Sequence, residues 1–278
     1  MKIINLIENT AGKPGCIFAH GLSFYVQTAY HRLLMDLGPS EETLHNADIL
    51  GIDLKAVDTV VLSHGHYDHS GGIIPFSEIN DRAVIYMQSS ADGEYYADDG
   101  ALAEGDRYRY IGIDKKIPEL SQVVRLSGDH VIDEELELFT VKHRTHQLPF
   151  TNRRLLIKNS DGFVRDDFAH EHYLVVREEE KTILISGCAH NGILSIMDAY
   201  AEKYSSYPDV VISGFHLMKK TPYRPEQLED IRDIAKSLNG YPSKYYTCHC
   251  TGLSAYDVMK EIMGDKLSYI HSGEEVIL

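Results

Sequence analysis

The sequence predicts one α/β domain built from layered sheets. Its 278 residues are enough for a sizeable core, and hydrophobic and charged fractions of 43% and 25% are those of an ordinary globular protein. Short β-branched runs come in clusters, and amphipathic helical patterns lie between or after them. We find no internal repeat and no Pro/Gly-rich linker, so we expect a single domain over residues 1–278.

The predicted elements follow the spacing of the apolar residues. Strands are predicted in the first half at residues 2–6, 22–27, 31–38, 59–64 and 83–88, with a short helix and connector over 46–58. In the second half, strands are predicted at 137–141, 173–177, 182–186, 210–213 and 244–248, and helices at 193–204, 225–238 and 254–263. The run "TVVLSH" (59–64) is short and almost wholly apolar, which is typical of a buried strand.

Two segments differ from the rest in composition. Residues 89–118 are rich in Tyr, Asp and Gly, and we expect a long loop that acts as a lid or insert. Its tyrosines would either stack on a flat substrate ring or pack the segment itself. Residues 141–154 are basic within an acidic chain, and they would either bind an anion or form a solvated loop.

Charge and cysteine content narrow the choice of partners and location. The net charge of −15 disfavours nucleic acid and anionic membranes, whereas a small anionic substrate stays compatible if a basic patch or a metal receives it. Four cysteines in 278 residues do not form a disulfide scaffold. The first residues lack the apolar core of a signal peptide, and no apolar run reaches the ~18 residues of a membrane helix. We therefore expect a cytoplasmic protein, whose oligomeric state the sequence does not reveal.

The run "HGHYDH" places four metal-binding side chains directly after the predicted buried strand. His64 and His66 are two residues apart, and Asp68 and His69 follow on the same turn. Imidazole and carboxylate are natural ligands of zinc, iron and manganese, and four such groups can be shared between two ions. The alternative is a solvated histidine-rich loop. A loop that only ends a strand, however, needs far fewer polar residues than these four. The sequence therefore predicts a metal site at the end of this strand.

The run "HGHYDH" also resembles the signature of the metallo-β-lactamase superfamily. The first motif of that superfamily is similar to "LLMDLG", in which Asp36 would support the metal loop, and its final motif is similar to "YYTCHCTG". Together with "ENTAGKPGCIFAHGLSF", "ISGCAHNGI" and "SGFHL", these runs resemble a branch of metal-dependent hydrolases that includes the archaeal dihydropterin ribofuranosylaminobenzene-phosphate synthases. The resemblance covers nearly the whole chain. It implies a four-layer αββα sandwich of the metallo-β-lactamase type, with the site at one rim of the two sheets.

The resemblance assigns metal ligands residue by residue. His64 and His66 would bind one ion, Asp68 and His69 would bind the other, and His249 would be the last ligand of the second ion. The expected cofactor is one or two divalent ions per chain. Zinc is the first choice, although iron and manganese suit the same ligands.

Two positions depart from the superfamily pattern. Cys188 stands where the bridging aspartate is expected, and it would either bind metal as a thiolate or pack as a small buried residue. His190 follows two residues later and would complete the shell of the first ion. For the third histidine of the superfamily, the sequence leaves His170, Glu171 and His172 open, and the number of ions is open with it.

Four further residues are candidates for substrate contacts or support of the ligands. His216, at the end of a predicted strand, would bind metal, orient a ligand, contact substrate or form part of the rim. His20 lies at the start of another strand. Arg144 and Arg153 belong to the basic stretch, and arginine forks suit phosphate or carboxylate.

These residues predict a metal-dependent hydrolase that acts on a small anionic or phosphorylated substrate. Binding to metal lowers the pKa of water from ~15.7 to about 7, and the resulting hydroxide would attack the substrate while Asp68 accepts a proton. One alternative is a condensing transferase like the synthases named above, in which the metal stabilises a phosphate leaving group. The other is a non-catalytic metal-dependent binding protein, against which the open coordination of the ligand set argues.

Overall fold

The structure is a computed structural model that describes residues 1–101 and 106–278. These residues form two compact units that alternate along the chain. Unit 1 comprises Met1–Ser127, Asn152–Glu171 and Ser272–Leu278, and unit 2 comprises Gly128–Thr151 and His172–His271. The single domain expected over 1–278 stays a prediction.

The described residues form eighteen strands and six α-helices, numbered in chain order. The strands up to residue 131 are β1 Lys2–Ile7, β2 Ser23–Gln27, β3 Arg32–Met35, β4 Thr59–Val61, β5 Val84–Gln88, β6 Tyr95–Asp98, β7 Tyr108–Tyr110, β8 Val123–Leu126 and β9 His130–Val131. The later strands are β10 Leu136–Phe139, β11 Leu155–Asn159, β12 Gly162–Arg165, β13 Tyr173–Glu178, β14 Lys181–Ile185, β15 Val210–Ser213, β16 Lys244–Thr247, β17 Leu267–Tyr269 and β18 Glu275–Ile277. The helices are α1 Glu42–Ile49, α2 Tyr67–Ser70, α3 Ile73–Ile79, α4 Ile193–Tyr204, α5 Pro225–Gly240 and α6 Leu253–Met263.

The main sheet of unit 1 has the strand order β18-β1-β2-β3-β4-β5-β8 in the described part of the chain. Its first three pairings are antiparallel, and β3, β4, β5 and β8 then run parallel. Met35 pairs with Val61, and the main-chain nitrogen of Asp36 donates to the Val61 carbonyl across 2.8 Å. Because the carboxyl ends of parallel strands share one edge of a sheet, Asp36 lies beside the residues that follow β4.

The predicted lid segment contributes strands to a second sheet of unit 1, with the order β12-β11-β6-β7. The tyrosines of β6 and β7 pack within this sheet: the rings of Tyr96 and Tyr110 are 5.4 Å apart, and Tyr108 stacks on Phe163 at 4.1 Å. The long loop expected over 89–118 is therefore partly strand, because the two tyrosine-rich runs pair with each other. Residues 102–105 of that segment lie outside the described residues.

Unit 1 has its own hydrophobic core. Strands β1, β3, β4 and β5 supply alternate apolar side chains, and the helices α1 and α3 cover them; members include Ile4, Leu34, Val60, Ile85, Ala47 and Phe76. All six are buried. At about 25 cal/mol per Å² of apolar surface, this burial is the main favourable term that holds the sheet.

Unit 2 repeats the same plan in its described residues, with the strand order β17-β16-β15-β14-β13-β10-β9. The pairings from β9 to β14 are antiparallel, and β14, β15, β16 and β17 run parallel. Helices α4, α5 and α6 connect the parallel strands. The loops that follow β14, β15 and β16 therefore lie at one edge of this sheet.

The helices of unit 2 bury regular apolar faces. Helix α5 begins at Pro225, and Gln227 accepts a hydrogen bond at 3.0 Å from the main chain of Arg224. Its buried positions are Gln227, Ile231, Ala235 and Leu238, and those of α6 are Ala255, Met259 and Met263. This three- to four-residue spacing turns one face of each helix to the core, which also contains Tyr173, Val211 and Tyr245.

Many predicted elements agree with the structure. Helix α4 and strand β15 have the predicted bounds, whereas strand β4 ends three residues early because the chain bends at His64 and Gly65. Helix α1 begins four residues before the predicted one and overlaps it, and strands β8, β11, β12, β17 and β18 were not predicted. None of the described helices has both the length and the apolar character needed to span a bilayer.

Candidate metal centre

The run "HGHYDH" forms a buried turn after β4, called here the metal turn (residues 64–69). Strand β4 ends at Val61, and the four-residue helix α2 begins directly after His66. The ring of His64 lies 4.6 Å from that of His66 and 4.2 Å from that of His69. All four predicted ligands of this turn are buried: His64, His66, Asp68 and His69. The structure thus places all four predicted ligands close together on one turn.

A buried carboxylate orients the metal turn. Asp36 accepts hydrogen bonds from His69 Nδ1 at 2.6 Å, from Ser63 Oγ at 2.7 Å and from Ser63 N at 2.7 Å. Because a carboxylate only accepts, His69 carries its hydrogen on Nδ1, and Nε2 keeps the lone pair that a metal needs. This carboxylate–histidine arrangement is common behind metal ligands. Asp36 thus occupies the supporting position that the resemblance assigned to it.

The electrostatics of the metal turn differ between its histidines. Burial and the nearby His170 lower the pKa of His66 to about 3, so this imidazole is neutral, which is the form that binds metal. Burial also acts to lower the pKa of His69, but the carboxylates of Asp36 and Asp68 outweigh it and raise that pKa overall. A cation is therefore favoured beside His69.

Asp68 lies between the buried histidines and solvent. Its Oδ2 atom is 3.9 Å from His69 Nε2 and 3.4 Å from His20 Nε2. The side chain of His20 is 53% exposed, whereas that of Asp68 is 11% exposed. The predicted substrate residue His20 therefore stands beside the predicted catalytic residue Asp68.

His170 supports the metal turn through both of its ring nitrogens. Its Nδ1 accepts a hydrogen bond from Gly65 N at 2.9 Å, and its Nε2 lies 3.1 Å from Asp166 Oδ2. Tyr95 packs on the His170 ring at 4.2 Å and is buried. Asp166, His170 and His66 place ligand atoms within 4.8 Å of one another, and the ring nitrogens of His170 contact Gly65 and Asp166. His170, Glu171 and His172 all stay candidates for the ligand that the sequence left open.

Glycines let the chain pack closely around the metal turn. A Cβ on Gly65 would overlap the main-chain oxygen of Ala91, and one on Gly71 would overlap that of Pro39. Gly71 has a φ of −61°, which any residue adopts, so its place depends on space and not on backbone freedom. Close approach of the main chain therefore accounts for both glycines.

In unit 2, the predicted ligands follow the parallel strands. Cys188 and His190 come after β14, His216 follows β15 and His249 follows β16. Three residues of these loops have left-handed backbones, with φ of 56° at Ala189 and 48° at both His216 and His249. Such conformations cost about 1–3 kcal/mol each in a residue other than glycine and gather at functional sites.

His190 and His216 form a pair in unit 2. Their rings are 4.2 Å apart, and His190 is buried. His216 Nδ1 lies 2.8 Å from Thr151 Oγ1, and Thr151 also donates to the His216 carbonyl. Thr151 thus holds His216 in place, and the His216 ring lies against that of His190. Among the alternatives for His216, this contact fits the role of orienting a ligand.

The two candidate arginines lie in different surroundings. In unit 2, Arg144 is exposed and donates to Asn191 Oδ1 at 3.0 Å, and Asn191 donates to the Tyr173 hydroxyl at 3.1 Å. Asn191 follows His190 in the chain, so Arg144 stands beside a predicted ligand. In unit 1, Arg153 is exposed and its carbonyl accepts from Arg165.

Sequence reasoning missed three residues of these sites. Asp166 precedes His170 by four residues, Asn191 follows His190, and Cys250 follows His249. Each is polar or sulfur-bearing and lies within four residues of a histidine that the motifs single out, which was the available signal. Only the folded chain shows that Cys250 joins Cys188 and His249 in a group whose ligand atoms lie within 4.8 Å of one another.

The donor groups of both units fit a divalent metal. Unit 1 supplies three imidazoles and one carboxylate on the metal turn, with a second carboxylate behind them. Unit 2 supplies imidazoles and thiols, also buried. Buried donors of these types are costly to maintain without a hydrogen bond or a cation, and they are the ligands of zinc and iron.

Comparison with known proteins shows which family the chain resembles. The model of the metallo-β-lactamase superfamily matches residues 18–151. A crystal structure described as a metal-dependent hydrolase of the β-lactamase superfamily aligns with 100% of this chain and 99% of its own, at a TM-score of 0.82 and 27% identity. The chain resembles the metallo-β-lactamase superfamily in sequence over these residues and has its fold. The predicted α/β fold of the metallo-β-lactamase type is confirmed.

Two proteins of Methanocaldococcus jannaschii are also similar over their whole length. One, an uncharacterised protein, is 29% identical over 97% of each chain. The other is 7,8-dihydropterin-6-methyl-4-(β-D-ribofuranosyl)-aminobenzene-5′-phosphate synthase, which is 28% identical over 99% of this chain and 95% of its own. The resemblance to the branch that contains such synthases is confirmed.

Proposed function

We propose that this chain is a metal-dependent hydrolase of the metallo-β-lactamase superfamily that acts on small anionic substrates, with zinc as its ion. The observation that carries the proposal is the metal turn itself: four buried donors held from behind by Asp36 at 2.6 Å from His69. The resemblance to the superfamily supports assigning His190 and His249 to the same activity. One or two ions per chain are compatible with this ligand set.

A divalent ion bound here would supply Lewis acidity and a lowered pKa for water, to about 7. The chain itself supplies orientation, because Asp36 fixes the tautomer of His69 and His170 fixes the main chain at Gly65. Rigid support of this kind is needed because small displacements of catalytic groups reduce rates strongly.

Asp68 and His20 are proposed to move the proton. Asp68 is nearly buried and carries a carboxylate beside His69, so it can accept a proton from an attacking water. His20 lies 3.4 Å from the same carboxylate and is half exposed, so it can pass that proton to solvent. The pair thus connects a buried base to bulk water.

Arg144 is proposed to contact the negative charge of the substrate. The chain is acidic overall, with a net charge of −15, so an anion needs a local positive group. Arg144 is exposed, and Asn191 holds it beside His190. Arg153 is a second candidate, at the surface of unit 1.

The proposal is tested by metal content and hydrolysis in matched variants. Protein freed of metal is reloaded separately with zinc, ferrous iron and manganese, and assayed on phosphomonoesters, phosphodiesters and lactones. We expect His64→Ala to lose metal and activity, and Asp68→Asn to lose activity. His31→Ala is the control, since His31 lies in unit 1 and pairs with Asp58 at 2.8 Å. Full metal content in His64→Ala would contradict the ligand assignment.

A second candidate is a condensing transferase. It is favoured by the 28% identity to the Methanocaldococcus jannaschii synthase, which extends over 99% of this chain. In this case the same ligands would hold an ion that stabilises a phosphate leaving group, and a carbon–carbon bond would form. Incubation with a dihydropterin diphosphate and an aminobenzene ribotide separates the two reactions. A condensed product identifies a synthase, and free pterin alcohol alone identifies a hydrolase.

The non-catalytic alternative has its own signature. A metal-dependent binding protein would carry stoichiometric metal yet turn over none of the esters, lactones or pterin substrates. Detectable metal-dependent turnover that Asp68→Asn abolishes would reject it.

A further inference from the structure

Three side chains of unit 2 form a sulfur-rich group that the superfamily motifs do not explain. Cys188, His249 and Cys250 are buried, and their ligand atoms lie within 4.8 Å of one another. The resemblance places Cys188 where the superfamily has an aspartate, and Cys250 directly follows the predicted ligand His249. We propose that Cys188, Cys250 and His249 form a thiolate–imidazole site that selects zinc or ferrous iron over manganese and magnesium. This proposal depends on the proposed function in one respect only, which is that the protein binds a metal ion.

The spacing of the group suits a metal ion. With zinc–sulfur bonds of about 2.3 Å, two sulfur ligands of a tetrahedral site lie about 3.8 Å apart. The group spans at most 4.8 Å, so closing it on an ion needs movements of about 1 Å or less. Two cysteines and one histidine, with a fourth position open, is a ligand set known from catalytic zinc sites.

The surroundings of Cys250 are shaped to hold its sulfur. A Cβ on Gly214 would overlap Cys250 Sγ, so only glycine leaves room for the sulfur there. The main-chain nitrogen of His216 donates to Cys250 Sγ at 3.3 Å, which favours negative charge on the sulfur. Cys250 Sγ in turn lies 3.5 Å from the Cys188 carbonyl, to which its thiol donates. This arrangement gives the motif "SGFHL" a role: it cradles Cys250.

The backbone around the group is also fixed. Leu217 and Met218 both donate main-chain hydrogen bonds to the Cys250 carbonyl, at 2.9 and 2.8 Å. His249 itself, and Ala189 next to Cys188, have left-handed backbones. The fold thus accepts backbone strain at each of these positions, which adjoin or carry the ligand atoms.

Two thiolates change which ion is held. Manganese and magnesium prefer oxygen ligands, whereas thiolates favour zinc and iron. Cys248 offers an internal comparison, because it is buried and adjoins His249 on the other side. Within the described residues, the groups of close ligand atoms include Cys188 and Cys250 and leave out Cys248. Burial alone therefore does not define the group.

Cobalt substitution tests the proposal without reference to activity. The metal-free protein is loaded with Co²⁺, and thiolate ligation is read from the thiolate-to-cobalt charge-transfer band in the near ultraviolet. We expect the band in the wild type, a reduced band in Cys188→Ser and in Cys250→Ser, and an unchanged band in Cys248→Ser and Cys16→Ser. Bound cobalt without the band in the wild type, or a full band in Cys250→Ser, would overturn the proposal.

X-ray absorption of the wild-type zinc protein covers the case in which a variant fails to fold. Sulfur atoms in the first shell, at about 2.3 Å, support the site, and a shell of nitrogen and oxygen alone refutes it. Zinc competition against manganese gives the selectivity, which Cys250→Ser should reduce at least tenfold. The proposed hydrolysis can fail while the sulfur shell is present, and the reverse also holds, so the two proposals are tested separately.

Discussion

His69 and Asp36 form a fully buried hydrogen-bonded pair in unit 1, with His69 Nδ1 2.6 Å from Asp36 Oδ2 and no exposure of either side chain. The same Asp36 oxygen accepts from Ser63 Oγ, so one carboxylate ties together the end of β4 and the helix α2. A buried carboxylate of this kind costs desolvation and is retained where it has a specific partner. Here the partner is a predicted metal ligand.

Replacing Asp36 with Asn should weaken metal binding. The amide keeps the shape but removes the charge, and its nitrogen would face a donor. We expect metal affinity to fall about 10- to 100-fold, the usual effect of losing such a partner. The measurement is zinc competition with a chelator. Asp58→Asn is the control, because Asp58 accepts from His31 at 2.8 Å and lies away from the metal turn; an equal loss there would mean that the effect is general.

His170 and His66 should behave differently when replaced. His66→Ala removes a predicted ligand, and we expect the metal content of the purified protein to fall. His170→Gln removes only the hydrogen bonds to Gly65 and Asp166, so the metal content should persist while the unfolding free energy falls by about 1–3 kcal/mol. Elemental analysis and denaturant unfolding give the two numbers. Loss of metal in His170→Gln with its fold intact would make His170 a ligand.

Gly65→Ala should destabilise the protein through crowding. The added methyl group would overlap the Ala91 carbonyl oxygen and approach the Tyr95 ring. We expect the free energy of unfolding to fall by about 1–3 kcal/mol, the usual effect of overpacking. Gly240→Ala is the matched control: Gly240 ends helix α5 and has open space around its Cβ position, so its stability should change by no more than about 1 kcal/mol. Thermal and denaturant unfolding check both variants.

Acid should remove a stabilising contribution at Glu137 in unit 2. Burial acts to raise the pKa of Glu137, but hydrogen bonds from Arg177 at 2.7 Å and Lys203 at 3.1 Å outweigh it and lower the pKa below its ordinary value of 4.5. A carboxyl group whose pKa is lower in the folded state stabilises that state above the unfolded pKa, and the contribution is lost as pH falls through the folded pKa.

Glu137→Gln tests this dependence. At pH 7 it should lower the unfolding free energy by about 1 kcal/mol, and the difference from wild type should shrink as pH falls below about 4. Denaturant unfolding at a series of pH values measures it. Glu261→Gln is the control, since Glu261 is an exposed residue of α6. A difference from wild type that is constant with pH would contradict the ion-pair origin.

The sequence predicts the elements whose signal is local. Helix α4 is long and amphipathic, and β15 is a run of buried β-branched residues, so both have their predicted bounds. Strands such as β8 and β12 have largely exposed or half-exposed residues, and only their pairing partners make them strands. The tyrosines of the predicted lid pack on one another because β6 and β7 pair, which periodicity over so few residues does not reveal.

The candidate site also has a part that the sequence predicts and a part that depends on distant residues. The metal turn is visible because its four donors lie within six residues of sequence. The roles of His170 and Cys250 depend on groups that are far away in the sequence, such as Gly65, 105 residues from His170, and Cys188, 62 residues from Cys250. Only the folded chain determines which nitrogen or sulfur atom of these residues makes a contact. The sequence could therefore offer alternative roles for His170 and Cys250 but could not decide among them.

The pairing of β1 with β18 has a consequence for how the chain is made. Lys2 pairs with Ile277, so β1 is synthesised 275 residues before the strand that pairs with it. Throughout synthesis of the intervening residues, β1 presents one side without a partner, and an open strand edge invites pairing between nascent chains. Expression of this protein should therefore depend on chaperone supply during translation, and slowing translation should lower its soluble yield.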